Sequence, residues 1–178
     1  MLAVVFLDRD GTLVEDTGYL NDPDKVTLLP GVGAGLRLMR EKGYRLIVIS
    51  NQSGVARGKI SDIQFKQVHE RCCSLLENEK VTVDEFHYCL HHPEDPCLCR
   101  KPKTGLIPKM VQGESIDFSK SLVVGDKQSD LQLAVNLGIV GYLVLTGEGL
   151  KTKQTIGTTV PFQSTPTLEK LAESLPRA

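Results

Sequence analysis

Short apolar runs rich in branched residues alternate with helical patterns along this chain, and that alternation leaves few architectures open to it. Residues 3–7, 44–49, 86–88, 121–124 and 141–145 read as strands. The clearest helix spans residues 62–79, where Phe65, Val68, Cys72, Leu75 and Leu76 share one face and Ser61 with Gln64 forms a capping box. Two more helices, 32–41 and 129–137, stop at Gly43 and Gly138, a residue type suited to the left-handed cap. Strands and helices in this order predict an α/β fold: a doubly wound parallel sheet with helices on both faces and ligand chemistry outside the carboxyl ends of its strands. Asp8, Ser50 and Asp126 each fall at such an end.

The length, 178 residues, fits a single domain over residues 1–178, with a polar, Thr-rich tail (150–178) that carries one more helix at 167–175. Lys and Arg number 21 against 22 Asp and Glu, a net charge of −1, so no basic excess draws the chain to nucleic acid or to an anionic membrane. The apolar start at residues 3–7 is too short for a signal-peptide core or a membrane span, and a cytoplasmic monomer is the expectation.

Asp8-Arg9-Asp10-Gly11-Thr12 sets two carboxylates two residues apart where a strand gives way to a glycine turn. One carboxylate can act as a covalent nucleophile while the other protonates a leaving group and then deprotonates water. Such a pair repels, and a divalent cation relieves the repulsion. Asp126, in Gly125-Asp126-Lys127-Gln128-Ser129-Asp130, offers a further hard oxygen ligand of the kind magnesium takes. A single Asp at a strand end is commonly a helix cap, but several such motifs in order are not explained that way.

Five cysteines make an odd count for a disulfide framework. Cys89-x-His91-x5-Cys97-x-Cys99 offers three thiolates and an imidazole, the ligand set of a closed, structural zinc site, with His92 competing with His91 for the role. This loop, 89–99, leads directly into Arg100 and Lys101. Cys72 and Cys73 read as packing residues of the long helix, and His69 and His87 carry no partner signal.

DRDGT, the strand ending Ile49-Ser50-Asn51, the lysine of Cys99-Arg100-Lys101-Pro102 and the GDKxSD segment resemble, in order, the four motifs of the haloacid dehalogenase superfamily, over about residues 3–147. The resemblance implies that Asp8 is the nucleophile and Asp10 the general acid and base. It makes Ser50 and Lys101 the holders of the transferring phosphoryl, and gives magnesium to Asp8, Asp126 and the Asp10 carbonyl. Neither customary insertion point has room for a cap domain, so the site should be open, walled by the zinc loop and the turn around residues 16–19.

The zinc loop with CRKP is similar to two groups within the superfamily, the histidinol phosphatases and the heptose bisphosphate phosphatases. Asp16-Thr17-Gly18-Tyr19 and Asn51-Gln52-Ser53-Gly54 resemble the heptose group's substrate segments, and family resemblance favours His91 as the zinc ligand. This implies substrate contacts from Asp16, Thr17, Gly18, Tyr19, Ser50, Asn51, Gln52, Ser53, Lys101 and Lys127, and recognition by Arg100 of the phosphate that is retained. The implied activity is magnesium-dependent removal of the 7-phosphate from a heptose 1,7-bisphosphate, as in nucleotide-activated heptose and lipopolysaccharide precursor synthesis. Alternatives are a histidinol phosphatase, a phosphatase of nucleic-acid ends, and an inactive zinc-stabilised binding module.

Overall fold

A computed structural model describes residues 1–178. The first strand, β1 (Val4–Leu7), leads through the Asp8 loop and a single tight turn at Pro23–Lys25 to α1 (Val32–Glu41). Then come β2 (Arg45–Asn51), α2 (Asp62–Asn78) and β3 (Glu85–Cys89). A hairpin, β4 (Met110–Val111) with β5 (Glu114–Ser115), precedes β6 (Leu122–Gly125), α3 (Gln128–Leu137) and β7 (Val140–Val144). Residues 149–174 add α4 (Gly149–Thr155), β8 (Gln163–Thr165) and α5 (Leu168–Ser174).

Six strands form one parallel sheet in the order β3-β2-β1-β6-β7-β8. Because side chains alternate across a strand, Val5 and Leu7 point to one face and Val4 and Phe6 to the other. The first face packs against Val32, Leu36 and Met39 of α1, Val68, Cys72 and Leu76 of α2, and Leu168 and Leu171 of α5. The second packs against Leu133 and Ala134 of α3 and against Val111 and Ile116 at the hairpin. Burying both faces explains why the central strands are continuously apolar.

The chain order reverses between β1 and β6, which opens a crevice at their carboxyl ends where ligands of such sheets bind. No inserted domain covers it: α2 is the only element between β2 and β3, and the hairpin packs on a sheet face. The expected elements differ from the observed ones by one or two residues. Strand β2 runs on through Asn51, and β3 reaches Cys89, so a strand end itself delivers the first sulfur of the cysteine loop. The α2 capping box forms, Gln64 N donating to Ser61 Oγ at 3.2 Å and Ser61 N to Gln64 Oε1 at 2.9 Å. Additions beyond the sequence reading are the hairpin, α4 and β8. No helix is long and apolar enough to cross a membrane.

Candidate active site and metal centre

Three strand ends and one loop meet at the crevice. Asp8 follows β1, Ser50 and Asn51 close β2, and Asp126 follows β6, while Lys101 reaches in from the loop after β3. Asp8, Asp10, Ser50, Asn51, Ser53, Arg100, Lys101, Lys127 and Ser129 line a cleft of about 280 Å³ with no hydrophobic residue among them. A smaller adjoining cleft is lined by Asp10, Asp16, Gly18, Tyr19, Asn51, Gln52, Ser53 and Lys127 together with Gly54 and Ile60. Sixteen to nineteen thus contribute three of their four residues; Thr17 is exposed and lines neither cleft.

Lys101 is 5% exposed, and its three ammonium protons are all engaged: Nζ lies 2.8 Å from Asp8 Oδ1, 2.6 Å from Asp130 Oδ1 and 2.7 Å from the Ile49 carbonyl it donates to. Burial works against the charge on Lys101, but Asp130 and Asp8 raise its pKa above the ordinary value. Burial likewise pushes Asp8 up, and Lys101 and Lys127 overcome it, leaving the carboxylate below its usual range. The Arg9 amide also donates to Asp8 Oδ1 at 2.8 Å. Asp8 is therefore an anion at neutral pH, with Oδ2 clear of protein donors. Ser50 Oγ accepts from Gln52 Nε2 at 3.0 Å, which leaves its own hydrogen for a ligand oxygen.

Asp130 had no assigned role in the sequence reading. In the structure it is 1% exposed, pairs with Lys101, and also accepts from the Lys127 amide at 3.1 Å in the first turn of α3. Its carboxylate, with those of Asp8 and Asp126, forms a group whose ligand oxygens all lie within 4.8 Å of one another. Asp126 is completely buried; Oδ2 accepts from the Glu148 amide at 2.8 Å and Oδ1 has no donor at all. Burial, and then the neighbouring Asp8 charge, push Asp126 up to about 8, and burial pushes Asp130 to about 6. Gly11 and Gly147 both adopt left-handed conformations, and a Cβ on either would strike the Asp126 carboxylate. Three buried carboxylates facing one lysine, one of them with an orphaned oxygen, are a donor set that fits a hard divalent cation such as magnesium.

Asp10 lies beside this group, its carboxylate held by Arg9 and Gln52. Asn51 grips the main chain of Lys101: its Oδ1 accepts from Lys101 N at 3.0 Å and its Nδ2 donates to Lys101 O at 3.2 Å. Lys127 ties the Asp16 turn to the catalytic edge, with Nζ 2.7 Å from Asp16 Oδ2. The other Asp16 oxygen accepts from Gly18 N at 2.9 Å, which fixes the turn.

Cys89, His91, Cys97 and Cys99 converge, with ligand atoms all within 4.8 Å. The separations Cys89–Cys97 3.9 Å, Cys89–Cys99 3.2 Å and His91 Nδ1–Cys99 3.1 Å bracket the edge of about 3.8 Å that a zinc tetrahedron with 2.3 Å bonds to sulfur has. All five cysteines are free thiols. The His92 ring is engaged elsewhere, its Nδ1 accepting from the Glu94 amide at 3.3 Å, and His91 is the imidazole in the cluster. Cys72 is buried in the core as expected, whereas His69 and His87 have partners that the sequence did not signal: Tyr88 Oη at 2.9 Å and Glu85 Oε2 at 2.6 Å.

A family model described as polynucleotide kinase 3 phosphatase matches residues 3–140. The chain is 42% identical over 154 residues to D-glycero-beta-D-manno-heptose-1,7-bisphosphate 7-phosphatase of Haemophilus ducreyi, covering 82% of this chain and 85% of that one. To the enzyme of the same name from Escherichia coli K12 it is 39% identical over 153 residues, 81% and 80% of the two chains. The crystal structure of D,D-heptose 1.7-bisphosphate phosphatase from B. bronchiseptica, complexed with magnesium and phosphate, superimposes with a TM-score of 0.89 at 30% identity, covering 98% of each chain. With its cap-free parallel sheet, its aspartate cluster and its Cys3His loop, this chain belongs to the D-glycero-D-manno-heptose-1,7-bisphosphate 7-phosphatase family of haloacid-dehalogenase-type phosphatases.

Proposed function

We propose that this chain removes the 7-phosphate of D-glycero-D-manno-heptose 1,7-bisphosphate through a phosphoryl intermediate on Asp8. The observation that carries the reading is the wholly polar cleft in which Asp8, Asp10, Ser50 and Lys101 face one small volume. Asp8 Oδ2 attacks phosphorus as the bond to the C7 oxygen breaks, and Asp10 gives that oxygen its proton. Asp10 then takes a proton from water, whose oxygen attacks the same phosphorus and releases phosphate and free Asp8. Lys101 and the Ser50 hydroxyl stabilise the peripheral oxygens throughout, the part of the task that phosphoryl transfer chiefly asks of a protein.

Asp8, Asp126 and the Asp10 carbonyl would hold magnesium, which when bound supplies positive charge against the phosphoryl oxygens. Zinc on Cys89, His91, Cys97 and Cys99 would have no open position for substrate and serves to hold the loop that carries Arg100 and Lys101. Arg100, at the cleft wall, is placed to take the 1-phosphate through its guanidinium fork. Asp16, Gly18 and Tyr19 with Ser53 form the sugar-facing wall. The Haemophilus ducreyi and Escherichia coli relatives are named for the β-anomer, and we infer the same preference here.

The free thiols suit a reducing, cytoplasmic setting. The test is phosphate release from heptose 1,7-bisphosphate and from histidinol phosphate side by side, with magnesium and with chelator. Magnesium-dependent preference for the bisphosphate, abolished by Asp8→Asn, is the expected result. A preference for histidinol phosphate would overturn the substrate, and turnover by Asp8→Asn would overturn the mechanism.

A further inference from the structure

Arg9 is the largest fully buried side chain of the molecule, 1% exposed, and it projects from the residue between the two catalytic aspartates. A buried arginine is costly unless paired, so its partner indicates what it is for. That partner is Asp10: Nε donates to Oδ1 at 2.8 Å and Nη2 to Oδ2 at 3.0 Å, a bidentate fork. Behind it the guanidinium lies 5.8 Å from the centre of the Tyr88 ring, and Tyr88 Oη is in turn 2.9 Å from His69 Nδ1. From the other side Gln52, 5% exposed, donates from Nε2 to Asp10 Oδ2 at 2.7 Å and to Ser50 Oγ at 3.0 Å. Both hydrogens of the Gln52 amide are thus engaged within the protein.

We infer that Arg9 and Gln52 are positioning residues that clamp the Asp10 carboxylate from two sides, and that Gln52 serves the proton transfers and not sugar recognition. This rests on the reading of Asp10 as general acid and base. The fork fixes the plane of the carboxylate, and the Gln52 amide links its Oδ2 to Ser50, so the proton-transferring group and one phosphoryl-holding hydroxyl keep a set separation. An Asp10 free to rotate would still let substrate bind, but would miss the leaving oxygen in most encounters.

The experiment compares Gln52→Met, which keeps the volume and removes the amide, and Arg9→Lys, which keeps the charge and removes the fork. Each is made in the native background and in Asp10→Asn. Steady-state constants are measured on heptose 1,7-bisphosphate, and beryllium fluoride with magnesium reports an intact Asp8 site. General acid–base catalysis is worth roughly 10²–10⁴-fold, so losing its alignment should lower kcat about 10- to 100-fold with KM within about threefold. In Asp10→Asn the same changes should cost less than about threefold, because the group they position has lost its function.

A rise in KM with kcat unchanged would make Gln52 a sugar contact, and equal losses in both backgrounds would make the clamp merely structural; either overturns the inference, as would unaltered kinetics. If Arg9→Lys does not fold, Gln52→Met decides alone. A native protein that forms no beryllium fluoride adduct would instead refute the covalent mechanism itself.

Discussion

Replacing Lys101 by Met removes the ammonium in direct contact with both buried carboxylates, Asp8 and Asp130, while keeping the length of the side chain. At 2.8 and 2.6 Å, each contact is worth about 6 kcal/mol of gross Coulomb attraction at an effective dielectric of ~20. Most of that offsets the desolvation of the lysine and its partners, and breaking such a buried pair nets a loss of about 3–5 kcal/mol. A domain of this size loses about 2–4 °C of Tm per kcal/mol, so a fall of about 6–20 °C is expected in chelator. Magnesium should recover part of it, since the ion would bring positive charge back among the three carboxylates. Turnover should not recover: the charge on the transferring oxygens is gone, at a cost on the order of 10²–10³ in kcat. Thermal melts with and without magnesium, beside kcat on heptose 1,7-bisphosphate, provide the check. A Tm within about 2 °C of the native protein in chelator, or kcat within about tenfold, would refute the view that Lys101 is the charge around which the site is built.

The raised pKa of Asp126, about 8, predicts a pH dependence of the metal-free protein. Between its ordinary value near 4 and about 8 the folded form holds a proton that the unfolded chain has released, so stability falls as pH rises through that window. Urea midpoints at pH 5 and pH 8 in chelator should show the fall and magnesium should abolish it; a flat profile in chelator would refute it. At the cysteine loop, burial pushes Cys89 up to about 12, so its thiol is protonated in the metal-free protein at neutral pH. Zinc loading should therefore release protons, read with a pH indicator, and Cys97→Ser should both weaken zinc retention and lower kcat through Arg100 and Lys101. Zinc uptake without proton release, or full activity without zinc, would contradict this.

The central strands, the three longest helices and the three polar strand ends were legible because each rests on local pattern: short continuous runs of branched apolar residues, helical faces with caps, and motifs at strand termini. What escaped the sequence depends on contacts distant in the chain, on burial, or on elements too short to carry a pattern. Asp130 occupies the third position of a helix, where an acidic residue normally caps the first turn, and it does accept from the Lys127 amide; only the fold shows that it also faces Lys101, 29 positions earlier. Arg9 carried no signal, since an arginine at a strand end ordinarily extends into solvent. Asn51 and Gln52 were readable as polar and near the site, but not which of their partners belong to the protein. Strand β8 is three residues long at the sheet edge, too short for alternation to register. The hairpin had a cue in Gln112-Gly113, both at positive φ, but its two-residue strands gave no pattern around it.

Cys89 is at once the last residue of β3 and the first sulfur of the metal loop, and Asn51 pins the far end of that loop through the main chain of Lys101. With zinc on its thiolates, a segment anchored at both ends would also be tied in its middle, leaving no hinge on which to swing like a lid. Substrate and product would then pass a fixed rim, and the length of the loop between its anchors becomes the quantity that an engineer, or natural drift, can vary to reshape the entrance without disturbing the catalytic edge.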